Sequence, residues 1–124
     1  MDMKTPPTAE QVLGMMKNKM GATAPAWGDL LHRLAPDLLV ATGMNSAQSV
    51  NREASPIPPQ YRHLIAVAAA LGRGDALCAR SQAHLAREAG ATAEEILDAV
   101  RITRHLMASA TFGLAEGLLK DLAG

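Results

Sequence analysis

Apolar residues recur along this chain with the period of one face of an α-helix, and proline- or glycine-rich breaks cut them into segments. Thr8 and Gln11 form a capping box, each side chain satisfying a free backbone N–H at the other residue, so a first helix is expected from about Ala9 to Lys19. Pro25 suits a first helical turn, and Trp27, Leu30, Leu31 and Leu34 follow at helical spacing as a short second helix. Leu38, Leu39, Thr42, Ala47 and Val50 predict a third helix to about Arg52, weakened by Gly43, Asn45 and Ser46. Ser55-Pro56-Ile57-Pro58-Pro59 is the clearest loop, because each proline removes a donor and restricts the residue before it.

From Pro59 the pattern becomes more regular. A fourth helix is expected over Gln60 to about Leu71, then a Gly-Arg-Gly-Asp turn, then a fifth helix capped by Asp75 and closed at Ala89 and Gly90. Thr92 and Glu95 make a second capping box, opening a sixth helix through Ile96, Leu97, Val100 and Leu106, and a last helix is placed around Ala108 to Leu122. No strand-like alternation occurs, so the fold class is all-α. Residues 64–71, LIAVAAAL, are apolar on every side, and the last helix is nearly so. Such helices need cover on all faces. A chain this short has few elements to supply it, so part of the cover is expected from another subunit; a well-covered monomer core is the alternative.

Composition narrows the classes. The 124 residues suit one domain, 1–124, with residues 1–7 as a loose arm. Twelve basic and twelve acidic residues cancel without a basic run, which leaves no electrostatic footprint for nucleic acid or an anionic membrane surface. Aromatics are limited to Trp27, Tyr61 and Phe112, so the core must be built from small and aliphatic side chains. The single cysteine excludes an intrachain disulfide and a cysteine-based zinc cluster, and with no apolar leader or membrane span in view a cytoplasmic location is expected.

Candidate chemistry gathers between His63 and Thr92. Cys78 falls at the third residue of the fifth helix, where free N–H groups favour the nucleophilic thiolate. Asp75, one turn earlier, opposes a second negative charge there. Cys78 is then either a nucleophile or a small core residue. Asp75 is explained by capping, contributing about 1 kcal/mol, or serves as a general base if a pocket encloses it. In an antiparallel helical hairpin His63 lies level with Gln82 to His84 rather than with Cys78, which offers a His63–Gln82 hydrogen bond that would fix the imidazole tautomer. Gln82 cannot take a proton, so His63 would be the acid–base group at that level, or else a core histidine satisfied by its neighbour.

The remaining candidates have plainer explanations. His84 is turned roughly 160° from Gln82 about the helix axis and is accounted for by a pair with Glu88. His105 is placed near the end of the sixth helix, where positive charge suits the C-terminus, and His32 stands beside Arg33. None of the four histidines has metal-site spacing, so no metal and no other cofactor is expected. Arg80 and Arg87 are read as a solvated stripe, and Met15, Met16 and Met20 as gap-filling core.

The run HLIAVAAALGRGDALCARSQAHLAREAGATAEEILDAV resembles the centre of the AhpD-like and carboxymuconolactone decarboxylase family, clearest in Gly90-Ala91-Thr92-Ala93-Glu94-Glu95-Ile96. The resemblance covers about Tyr61 to Leu119. It implies an AhpD-like domain of six to seven helices built on a central antiparallel helical hairpin, assembled as a trimer or hexamer. The peroxidase branch of that family carries a glutamate, a Cys-x-x-Cys pair and a histidine; aligned on Gly90-Ala91-Thr92, those positions fall on His63, Asp75, Cys78 and Gln82. Only the second cysteine is kept. The decarboxylase branch has a histidine where Gln82 stands. The resemblance thus implies a divergent thiol-dependent peroxidase working through Cys78 with an external thiol reductant. Its alternatives are a non-redox decarboxylase-type enzyme acting on a small organic acid or lactone, or a non-catalytic oligomeric binding module. The candidate catalytic set is Cys78, His63, Asp75 and Gln82.

Overall fold

Two capping boxes and one aspartate cap set where the main helices begin. In the computed structural model, which describes residues 5–124, Thr8 Oγ1 accepts from the Gln11 N–H at 3.1 Å while Gln11 Oε1 accepts from the Thr8 N–H at 2.9 Å. These bonds open α1 (Ala9–Met20). A 3-10 turn (Gly21–Thr23) leads to α2 (Trp27–Leu34) and α3 (Pro36–Ala47). The hairpin follows as α4 (Pro59–Gly72) and α5 (Ala76–Glu88), then α6 (Ala93–Leu114) and α7 (Glu116–Ala123). Every regular element among the described residues is helical. The expected loose arm at 1–7 lies partly outside the described residues.

α4 packs antiparallel against α5 and also against α6, which makes it the centre of the fold. α1, α2 and α3 form a second layer, joined to α5 through α1 and the 3-10 turn. A buried polar bond fixes that joint: Ser81 Oγ donates to the Thr23 carbonyl at 2.7 Å, so neither group is left unpaired inside. The core is small and aliphatic, as the composition requires: Val12, Leu39, Val67, Ala70, Ala79, Ala86 and Ala91 are buried. Gly43 brings α3 close to α1, since a Cβ there would stand 2.8 Å from Val12 Cγ2.

Three boundaries differ from the sequence expectation. α3 stops at Ala47 rather than near Arg52. Ser49 Oγ turns back to the Asn45 carbonyl at 2.8 Å and Asn51 Nδ2 donates to Ser46 Oγ at 2.6 Å, so side chains replace the helical ladder. Arg62 then takes the Val50 and Arg52 carbonyls at 3.0 and 2.7 Å, which pins this segment onto α4. At the other end, the expected last helix over Ala108 to Leu122 is not separate. α6 runs unbroken to Leu114, and the break comes at Ala115, between Gly113 and Gly117, where helix propensity is lowest. His105 is consequently in the interior of α6 and not near a helix C-terminus.

The all-round apolar α4 is not fully covered within the chain, because Ile65 is 56% exposed. The same holds more strongly for α6. Its inward stripe of Ile96, Ala99 and Thr103 continues, at about 100° per residue, as Leu106, Met107, Ala110 and Leu114, yet beyond Thr103 these are exposed, Leu114 at 88%.

Candidate functional site

The Gly72-Arg73-Gly74-Asp75 turn reverses the chain between α4 and α5. Gly74 takes φ +79°, a left-handed backbone that glycine adopts without a Cβ penalty. The Asp75 N–H closes the turn on the Ala70 carbonyl at 2.8 Å. Asp75 then caps α5, with Oδ1 accepting from the Cys78 N–H at 2.9 Å, while Oδ2 accepts from Arg73 Nη2 at 3.0 Å. The Cys78 N–H, and after it Arg73, hold the Asp75 carboxyl below the usual carboxylate range. Reciprocally, the bond to Asp75 and its charge hold the Arg73 guanidinium above its ordinary value. Asp75 is an ionised acceptor with both oxygens engaged, as the capping reading expects.

Further along the hairpin, His63 on α4 meets Gln82 on α5. His63 is buried, and its Nδ1 lies 2.8 Å from Gln82 Oε1. With the amide oxygen as acceptor, Nδ1 carries the proton and Nε2 keeps a free lone pair. Burial pushes the imidazole below its ordinary value; the Gln82 bond opposes this, and the charges of Arg62 and Lys19 add to it. A neutral imidazole with a fixed tautomer is therefore the resting state near neutral pH.

His63, Gln82 and Cys78 all line one open cavity of about 850 Å³, roofed by α1, α3 and the 49–53 segment. Asp75 lies outside the lining and reaches it through its bonds with Arg73 and the Cys78 N–H, both residues being on the wall, where Cys78 is half-buried. Among the described residues the cavity's charged lining is one-sided: Lys19, Arg52, Arg62 and Arg73 against Glu53. Met15, Met16 and Met20, expected as core filling, form part of this wall instead, beside the sole tryptophan, Trp27. A second hollow, about 580 Å³ between residues 5–7 and α1, is lined by no titratable side chain among the described residues.

Sequence spacing anticipated the His63–Gln82 pairing but missed the cations. Arg73 was in view only as part of a turn, and Lys19 and Arg52 come from elements whose placement over the hairpin has no local signal. Arg62 had one available signal, as the neighbour of His63. His84 is half-buried and forms no ion pair with Glu88 among the described residues. Among those residues no three His, Cys, Asp or Glu side chains approach closely enough to hold a metal, and no helix is long and apolar enough to cross a membrane.

The profile of the Carboxymuconolactone decarboxylase family matches residues 37–116, well over half of the chain and spanning α3 to the start of α7. The chain belongs to this family. No curated protein matches it. The hairpin and its capping motif lie within the matched residues, and at the positions where the resemblance implies the first cysteine and the histidine, this chain has Asp75 and Gln82.

Burial of His63 has a consequence for stability. Its folded-state pKa is depressed below the ordinary 6.5, so the unfolded chain takes up the proton first as pH falls. Stability is then fully present above that value and declines as pH drops from it toward the folded-state pKa. Asp75, with a depressed carboxyl, keeps its contribution down to about its ordinary 3.8 and does not interfere in this window. Urea midpoints between about pH 7.5 and about pH 5 should fall more for the wild type than for His63→Gln. Parallel pH slopes would show that His63 does not titrate against a depressed pKa.

Proposed function

We propose that this protein is a non-redox enzyme of the decarboxylase type that acts on a small organic anion, with His63 moving the proton. The observation that carries this reading is the neutral, tautomer-fixed imidazole of His63 on the wall of a cavity whose charged lining is almost wholly cationic. The cations attract a carboxylate and stabilise negative charge that develops as a proton leaves carbon or a carboxyl group departs. Nε2, unprotonated at rest, takes up a proton from carbon and returns it from the imidazolium so formed, and the bond from Nδ1–H to Gln82 holds the ring in place in either state. Gln82 and Cys78 thus serve as a positioning residue and as wall.

A thiol-dependent peroxidase remains the second reading, favoured by Cys78 standing on the cavity wall near the Arg73 guanidinium. A peroxide is uncharged and gains little from four cations, and no second thiol on this chain can resolve a sulfenic acid. Cys78→Ser separates the two. Screening small carboxylic acids and lactones by NMR for conversion, the acid–base reading expects Cys78→Ser to turn over as the wild type does. A sulfenic acid at Cys78 together with peroxide turnover on an external dithiol, lost in Cys78→Ser, would replace it by the thiol reading.

We also infer a homo-oligomer in which a second copy covers α6 and α7. The exposed row of Leu106, Met107 and Leu114 continues the stripe that packs on α4 in the same chain, so the surface it fits has this core's own aliphatic chemistry. Light scattering on the wild type should give a multiple of the 13.0 kDa chain, and Leu114→Asp should shift it to a smaller species. A monomeric wild type would rule the assembly out.

A further inference from the structure

Resting on the organic-anion reading above, we infer that Arg73 is the residue that fixes the substrate carboxylate at the cavity wall, and that Asp75 is its internal competitor. The basic residues of the lining are not equivalent. Arg62 spends Nη1 on the Val50 and Arg52 carbonyls, and its Nε is buried with no partner among the described residues, so its guanidinium is part of the wall's structure. Among the described residues the Arg73 side chain has one hydrogen bond, from Nη2 to Asp75 Oδ2, and it is 64% exposed where it lines the cavity. A guanidinium carries five donors in a planar fork matched to a carboxylate. Arg73 therefore has donors to spare.

The turn prepares that fork. Gly72 and Gly74 on either side carry no side chain to shield it, and Gly74 sets the backbone that brings Arg73 back to Asp75 two residues on. Asp75 is itself held by the Cys78 N–H, so the carboxylate that orients Arg73 is anchored to the first turn of α5. One fixed carboxylate on one edge of the fork leaves the other edge for a second. The same carboxylate also neutralises part of the charge that a ligand would seek. Removing its charge while keeping the cap on the Cys78 N–H releases Arg73 and should make it a stronger anion site.

The test uses the whole chain, with Trp27 on the cavity wall as reporter, titrated with benzoate and glutarate and with benzamide as the uncharged control. Wild type is expected to respond to the carboxylates and not to benzamide. Arg73→Gln should weaken carboxylate binding roughly tenfold or more, the scale of a lost charge-assisted bond. Arg80→Gln, exposed on α5 and outside the lining, should leave it unchanged. Asp75→Asn, which keeps a capping side chain, should tighten binding, a change of sign that general damage to the turn would not produce. Unaltered carboxylate affinity in Arg73→Gln, or weaker binding in Asp75→Asn, overturns the assignment of Arg73 while leaving the organic-anion reading in place. A wild type that responds equally to benzamide, or to none of the three, overturns the organic-anion reading and the assignment with it.

Discussion

Leu39→Ala is expected to lower the unfolding free energy by about 2–5 kcal/mol, the range for truncating a buried leucine. Leu39 is the largest side chain with no exposed surface, and it sits on α3 where that helix packs against both α1 and α2. The surrounding core offers little to collapse into the space, because its other buried members are Val12 and alanines or are committed to the hairpin. One turn further on, Gly43 is already pressed against Val12, which limits how far α3 can slide to fill the void. Set against a typical total of about 5–15 kcal/mol, the loss is a large share. The urea midpoint should fall with the slope unchanged. Because Thr42, Gly43 and Ser46 on the same helix line the cavity, carboxylate binding reported by Trp27 should weaken as well. A loss below about 1 kcal/mol would mean that α1 to α3 contribute less to the fold than their packing implies.

What could be read without coordinates follows the range over which each determinant acts. Helix starts were legible because a cap is a local object: Thr8 with Gln11, Thr92 with Glu95 and Asp75 with Cys78 each lie within one turn, and all three bonds are present. Helix ends were less so. The early end of α3 rests on the side-chain bonds of Ser49 and Asn51 together with Arg62, a dozen residues from Val50, capturing the Val50 and Arg52 carbonyls, and the late break at Ala115 depends on two glycines within an otherwise continuous apolar pattern. The site divides in the same way. His63 opposite Gln82 follows from counting residues back and forward from the turn of an antiparallel hairpin. The cationic roof does not, since Lys19 and Arg52 arrive there only because α1 and the segment after α3 fold across the hairpin. Cys78, the single cysteine, points in the sequence toward thiol chemistry, whereas the charges that distinguish this cavity are scattered among ordinary lysines and arginines.

His63→Ala should lower kcat by about 10²- to 10⁴-fold on whichever small acid or lactone the wild type converts, with KM little altered. The asymmetry follows from the division of labour in the cavity. Binding is assigned to the cations, which the substitution leaves in place, while proton transfer is assigned to a ring whose Nε2 has no protein partner among the described residues. The wild-type rate should rise with pH as His63 loses its proton and level off at or below the ordinary 6.5, because burial and the nearby Arg62 and Lys19 depress its pKa. Gln82→Glu gives this limb a direction that a purely structural role would not. A carboxylate in place of the amide stabilises the imidazolium, so the limb should move to higher pH while binding of the anion weakens slightly through repulsion. A profile that stays put in Gln82→Glu, or a His63→Ala enzyme with near wild-type kcat, would remove His63 from the proton path and leave it as a buried histidine satisfied by its neighbour.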